Sequence, residues 1–521
     1  MKQRIAKVLL ASALSVSLMC GNALPFVHTA FAEEDVEDEE DEEDDEDAED
    51  LVVTLLTFTP LTPEMTEPIE EHLNKITREK INANVDFQWM DAGAYLTTVP
   101  VMLQANEPID LVMFTPIPAA SFQTFMSQGQ LMDITDILPE YAPDVVDIMG
   151  DYLKATSRDG RIFGVGNLMC LATTLSIDMR KDILEAAGVL EQAQNMTSWQ
   201  DCGEVMKAAV ETSGINGFVS LDDLGDVLTM APYLIGNGDF SEAEWVDSCG
   251  DPYYFTYVDP ADDKVKCYFE NEKWVQGIEL AREFYNEGIV YKDAATAQDT
   301  GVTLIRSGVG LAQVSPKELE PEVQFFSGTG YEDVNTPLAT CKVSTASFQK
   351  FGYGVPVTAE NPEKALELLN LMWTDKEFMD TLAWGIQGQD WILNEDGMGE
   401  YPEGKDSNSV YHLQDFMLGN CLEVTPWLGE DKEIRQHARE ANENLEVSKY
   451  LGFSVDTTPV AQQIAACKLV FDQYAPTLNS GAAGDNVSEL IANFVDKMYG
   501  AGMQEIIDEF QAQLDEFLAQ Q

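Results

Sequence analysis

Between Leu51 and Phe114 short apolar runs alternate with amphipathic stretches, and this alternation constrains the fold more than any other feature of the sequence. Leu51-Val-Val-Thr-Leu-Leu-Thr-Phe58 is apolar and rich in β-branched residues, which predicts a buried strand. Ile69, Leu73 and Ile76 then fall on one helical face, with Pro68 near the first turn. A strand at Val85–Met90, a helix near Tyr95–Gln104 and a strand at Leu111–Phe114 complete the series. Strand and helix in turn imply βαβ units, a mostly parallel sheet and an α/β fold.

Farther on, Asp159-Gly160 turns the chain into an extended stretch through Ile162-Phe-Gly-Val-Gly-Asn167, expected as a first crossing between two lobes. Helical patterns follow near Met179–Ala187, Trp199–Glu211, Leu224–Ile235 and Glu272–Glu287, a helix-rich second lobe. Val309–Val314 reads as a strand returning to lobe one, and Tyr353-Gly-Val-Pro356 as a further crossing. Helices at Pro362–Trp373 and Asp375–Trp384 precede a Gly- and acid-rich loop at Gly385–Gly404. The expected division is therefore 51–165 with 308–352 as lobe one, 166–307 with 353–430 as lobe two, and 431–521 as a helical extension. In that extension helices are expected at Lys432–Tyr450, Val460–Tyr474, Val487–Tyr499 and Gly502–Ala519.

The first residues have the character of an export signal. Lys2, Arg4 and Lys7 precede an apolar run to Met19, and Ala30-Phe31-Ala32 offers a small-residue cleavage site, giving a signal over 1–32. Cys20, in Ser17-Leu18-Met19-Cys20, is the alternative end: lipidation there would tether the protein to the outer face of the membrane. Sixteen of the eighteen residues 33–50 are acidic, so this stretch repels itself and is expected as an extended spacer. The 76 acidic and 27 basic residues of 51–521 leave a net charge near −49. Nucleic-acid binding relies on Lys and Arg at phosphates, so that charge argues against it and fits an exported, monomeric protein. Seven cysteines follow residue 32; no CxxC occurs, and Cys249 with Cys267 is the one disulfide the flanking hairpin-like segments favour.

Catalytic patterns are missing. The four histidines are His28, His72, His412 and His437, and no HExxH, P-loop or GxSxG occurs. Asn394–Glu400 lacks the ligand spacing of a calcium loop. No cofactor or metal is expected. An exported hydrolase using two of the many carboxylates is the weakest reading, since nothing in the sequence singles out a pair.

Several segments resemble the extracellular solute-binding proteins of bacterial ABC importers. They are Gln104-Ala-Asn-Glu-Pro-Ile-Asp110-Leu-Val-Met-Phe114, Gly129–Ala142, Arg158-Asp-Gly160-Arg161-Ile-Phe163-Gly-Val and Ser176–Gly188. Leu382-Ala-Trp384-Gly-Ile-Gln-Gly388-Gln-Asp390-Trp391 is similar to a loop in a lipoprotein branch whose members end in a helical domain of unknown function. The resemblance implies a two-lobed clamp, outside the cell, that carries a sugar or oligosaccharide to a membrane permease. The same scaffold binding a peptide or another small solute is the alternative, with Arg306 as a candidate for a terminal charge.

Ligands of open α/β sheets sit at the carboxyl ends of the strands. That rule selects Phe58 and Thr59 after the first strand and Phe114 and Thr115 after the third, with Asn167 just past the crossing. Tyr233, Asn237, Asp239 and Phe240 surround Gly236 and Gly238 in a loop able to approach a ligand. Trp384, Asp390 and Trp391 have the composition of a sugar platform, rings for C–H faces and a carboxylate for hydroxyls.

Overall fold

The computed structural model describes residues 48–218, 233–297, 299–407 and 409–520. The expected signal over 1–32, Cys20 and most of the acidic spacer lie outside the described residues, as does most of the helix expected at Leu224–Ile235.

Leu51, Val53, Leu55 and Leu56 of β1 (Glu49–Thr57), a strand that lies between two others, are buried in a core shared with Ile69, Leu73 and Leu366. It starts inside the stretch expected as spacer: Glu49 and Asp50 pair with Ala83 and Asn84. Helix α1 (Pro63–Ile81) begins with proline at its first turn and ends on Asn82, whose φ of 50° is the left-handed geometry that asparagine tolerates. Asn74 of α1 fixes the next strand, β2 (Ala83–Asp91), accepting from the Val85 N–H at 2.6 Å and donating to the Val85 carbonyl at 2.9 Å. Helix α2 (Ala92–Gln104) is capped by Asp91 and leads to β3 (Leu111–Phe114).

Asp110 explains why an acid precedes β3. Buried, it accepts the Val52 N–H on one oxygen and those of Glu360 and Asn361 on the other, each at 2.9 Å. One carboxylate thus ties β1 to the start of a helix that lies 250 residues later in the chain.

The first sheet is completed by β4 (Val165–Gly166) and, from much later in the chain, by a strand at Gly352–Gly354 that lies antiparallel between β3 and β4. Glycine is required at 352, since a Cβ there would stand 2.3 Å from the Phe114 ring and 2.4 Å from the Val165 carbonyl.

A second sheet is built on β5 (Thr174–Arg180), which extends two residues into the expected helix. After α3 (Trp199–Ser213) come β6 (Asn216–Phe218), the paired short strands β7 (Tyr233–Leu234) and β8 (Glu244–Trp245), and the hairpin β9 (Thr256–Asp259) and β10 (Lys264–Cys267). Helix α4 (Glu272–Asn286), β11 (Gly310–Lys317), β12 (Asp333–Thr340), the short α5 (Thr345–Gln349) and β13, the Gly352–Gly354 strand already placed, follow.

The second sheet runs β12-β5-β11-β6, and β5 is antiparallel to both of its neighbours. Three expectations are corrected here. Residues 310–317 and 333–340 belong to the second sheet, not to lobe one, because β11 and β12 take up the two free edges of β5. Tyr353 is a strand residue of the first sheet rather than part of a crossing. The sheets are mixed; parallel order holds within β2-β1-β3.

Residues 353–430 likewise pack with the first sheet. Leu366, Leu369 and Trp373 of α6 (Pro362–Thr374) and Phe378 and Leu382 of α7 (Lys376–Trp384) join Leu55, Leu73 and Phe114 in one core. Helix α8 (Ile434–Asn444) also contacts that core through Ala438, and the chain is extended from Leu445, short of the expected Tyr450. Helices α9 (Ala461–Asn479), α10 (Val487–Gly500) and α11 (Met503–Gln520) then bury Phe471, Phe494 and Phe510 in one core with Phe255 and Phe269, which flank the β9–β10 hairpin, and Trp274 of α4. The C-terminal helices are therefore fastened to the second half of the molecule. Cys249 and Cys267 form no disulfide; each is a buried thiol, Cys249 beside Asp247 and Cys267 across from Thr256.

Candidate functional site

Two stretches link the sheets, 167–173 from β4 to β5 and 341–351 from β12 to β13, and they run side by side. Asn167 N–H donates to the Phe351 carbonyl and Cys341 N–H to that of Thr173, both at 2.9 Å. The extended segment after α8 adds itself alongside: Val343 N–H donates to Glu446 O at 2.8 Å and Ser448 N–H to Val343 O at 2.7 Å. On the other flank, Leu168 N–H donates to Gly419 O.

Against this junction lies a cavity of about 340 Å³. One wall is aromatic: Tyr233 and Trp245, set directly across from each other by the β7–β8 pairing, with Tyr254 beside them. The opposite wall comes from the crossings, Met169, Cys170, Leu171 and Thr173 from one and Cys341 through Lys350 from the other. Asp247 is 7% exposed; it accepts from the Ser448 hydroxyl at 2.5 Å and from the Cys249 N–H at 2.9 Å. Burial raises its carboxyl above the ordinary range, and the Ser448 bond works against that shift. Lys342 pairs with Glu446 at 2.7 Å, and Ser347 accepts the Ser344 N–H at 3.1 Å. Burial pushes the Cys170 thiol up to about 11, so it stays protonated and is a poor nucleophile. Rings for apolar faces and a rim of hydroxyl, carboxylate and ammonium groups make a recognition site of the size small ligands use.

Of the residues selected from sequence, Tyr233 borders this cavity. The others are placed elsewhere. Phe114 is fully buried and meets Phe122 edge-on at 5.2 Å. Thr115, also buried, accepts the Ile117 N–H at 3.2 Å and shapes its own turn. Asn167 is 2% exposed, and its carboxamide has no partner among the described residues. Asn237 and Asp239 are exposed, while Phe240 is buried edge-on against Trp199 at 5.3 Å, so this loop closes the start of α3.

Trp384 and Trp391 are 4% and 3% exposed, and their indole N–H groups donate to the Thr425 and Gly385 carbonyls at 3.0 Å. Asp390, buried and held above the ordinary carboxylate range by that burial, accepts the Ile386 N–H at 2.9 Å. Gly385, at φ +85°, permits this fold-back, since a Cβ there would meet Asp390 at 2.8 Å. The loop is a packed corner. Phe58 is 51% exposed, and Thr59 accepts from Gln414 Nε2 at 3.1 Å. Arg306 is bound to the Gly328 carbonyl. The site residues missed from sequence are Trp245, Asp247, Tyr254, Lys342, Ser344 and Lys350. For Trp245, Asp247 and Tyr254 the signal was the density of rings and acids in Trp245–Tyr254; Lys342, Ser344 and Lys350 carried none.

Two α/β bodies joined by paired crossings, with a ligand-sized cavity at the junction, define a solute-binding clamp. The sequence pattern of the bacterial extracellular solute-binding proteins matches residues 73–388, and the chain belongs to that family. A domain of unknown function matches residues 449–519. A carbohydrate ABC transporter substrate-binding protein of Streptococcus pneumoniae is 23% identical over 460 residues, covering 85% of this chain and 87% of that protein. Among solved structures, the N-glycan transport solute binding protein of Streptococcus pneumoniae superposes with a TM-score of 0.74 at 19% identity, over 90% of this chain and 99% of that one. A human-milk-oligosaccharide (HMO) binding solute-binding protein of Bifidobacterium longum infantis gives 0.62 at 15% identity, again over 90% and 99%.

Proposed function

We propose that this chain is the external carbohydrate receptor of an ABC importer, with its sugar seated in the cavity at the crossings. The observation that carries the reading is the wall of Tyr233, Trp245 and Tyr254 facing a polar rim that includes Asp247, Lys342 and Ser344. A sugar ring offers C–H faces to the aromatics and hydroxyls, each donor and acceptor, to the rim. Of the cavity residues, Met169 and Leu171 belong to the core of the first sheet and Tyr233 to that of the second, so a ligand seated there touches both bodies and favours the closed form over the open one. A permease that reads the closed form then receives the ligand, and no bond is made or broken. The names of the relatives support the sugar class: carbohydrate, N-glycan and human-milk-oligosaccharide binders recur among them. The protein acts outside the cell as a monomer, freed after Ala32 or tethered at Cys20.

The test is a thermal-shift screen of the chain against saccharides, short peptides and amino acids. A saccharide at a hundred times its dissociation constant adds about 2.7 kcal/mol of stability, a clear rise in midpoint. Hits confined to peptides or amino acids would overturn the sugar class.

A further inference from the structure

A second aromatic surface stands beyond the cavity, and it differs from the buried Trp384–Trp391 corner on which it rests. Tyr411 and Leu413 are buried whereas His412 and Gln414 are half-buried, so the latter two share the outer side of an extended stretch. Nδ1 of His412 and Oε1 of Gln414 have no hydrogen-bond partner among the described residues. Leaving a buried polar atom unpaired is unfavourable, so a ligand group that reaches either atom supplies a bond the fold does not. Tyr401 and Trp427, both half-buried, complete the surface. The His412 ring lies 4.7 Å from that of Trp427 and 5.4 Å from that of Tyr401, and Tyr401 meets Trp427 edge-on at 4.8 Å.

Charged and aromatic side chains lie between the cavity lining and this surface. Glu318 stands two residues past Pro316, which lines the cavity. Besides its burial, the charges of cavity-lining Lys350 and of Asp415 and Arg435 act on its carboxyl. Arg435 reaches Asp415 at 2.5 Å and Glu430 at 3.8 Å, and Glu430 accepts the Trp427 N–H at 2.7 Å. Phe351, next to Lys350, meets Phe416 edge-on at 5.7 Å, two residues from Gln414.

We infer that Tyr401, His412, Gln414 and Trp427 form a second sugar-contacting subsite, reached by an oligosaccharide whose other end fills the cavity. This rests on the carbohydrate reading of the cavity. A ligand hydroxyl, both donor and acceptor, gives His412 and Gln414 the partners the fold withholds, and the Trp427 ring covers a sugar face.

The test is calorimetric titration of the full chain with neutral glycans of increasing length, Man1GlcNAc and Man5GlcNAc among them. Trp427→Ala is expected to weaken the longest binder about tenfold and the shortest less than about twofold, with Trp427→Phe recovering most of the loss. If Trp427→Ala does not fold, Gln414→Ala makes the same comparison of lengths. Equal loss at every length, or none at any, overturns the subsite while sugar binding in the cavity stands. A wild-type chain that binds no glycan overturns the carbohydrate reading and the subsite together.

Discussion

The Trp384–Trp391 corner and the Tyr233–Trp245–Tyr254 wall have similar compositions, rings set among glycines and carboxylates, and opposite uses. In the corner each indole gives its N–H to a backbone carbonyl and the neighbouring carboxylate caps its own turn, so nothing is left for a ligand. In the wall Tyr233 and Trp245 are held by a short strand pair and Tyr254 by the loop that follows; the Tyr233 hydroxyl donates to the Thr173 carbonyl at 3.4 Å, but all three rings line the cavity. Residue types therefore do not mark a ligand platform; what decides is whether the fold already uses their polar ends and their faces.

The contrast breaks if a corner residue affects binding without affecting stability. Trp384→Ala removes a buried ring packed 4.6 Å from His412 and 4.9 Å from Trp427, and should cost about 3–5 kcal/mol in denaturant unfolding. His412 provides the next largest effect. Burial lowers its pKa from 6.5 to about 4, with Asp415 opposing. The unfolded chain then binds the proton more readily than the folded one, so stability is complete above pH 6.5 and falls as pH drops toward 4. Up to about 3 kcal/mol should be lost across that window, and His412→Gln should flatten the loss in denaturant titrations at pH 7, 5.5 and 4.

Tyr254→Ala should behave in the reverse sense. Half-buried at the cavity wall, it should weaken saccharide binding about tenfold in calorimetry while costing less stability than Trp384→Ala. Lys342→Ala gives the smallest change: its pair with Glu446 is exposed on both sides, so unfolding should shift by less than about 1 kcal/mol.

The same contrast shows what was legible in the sequence. The series from β1 to β3 could be read because each element announces itself locally, through apolar runs and the one-face spacing of Ile69, Leu73 and Ile76. The sequence puts the helix start near Pro68, whereas the helix begins at Pro63 and holds Pro68 inside it. Asp110 was visible as a signature, though not as the staple between β1 and the start of α6. The strand character of Val309–Val314 was equally plain, but a strand pattern does not say which sheet receives it, and β11 pairs with β5 through contacts more than a hundred residues apart. The cavity was least legible. Its residues come from separate stretches brought together by the crossings, each too short and ordinary to stand out. Tyr233 was found because a glycine-flanked loop follows it, a reason unrelated to its pairing with Trp245.

The central claim, that the ligand lies at the crossings, is tested most directly by a co-crystal structure with a saccharide that raises the melting midpoint. The account predicts a sugar ring against Tyr233, Trp245 and Tyr254, with hydroxyls toward Asp247 and Lys342. A sugar bound on the Trp384–Trp391 corner, with the cavity at the crossings free of ligand, would contradict it.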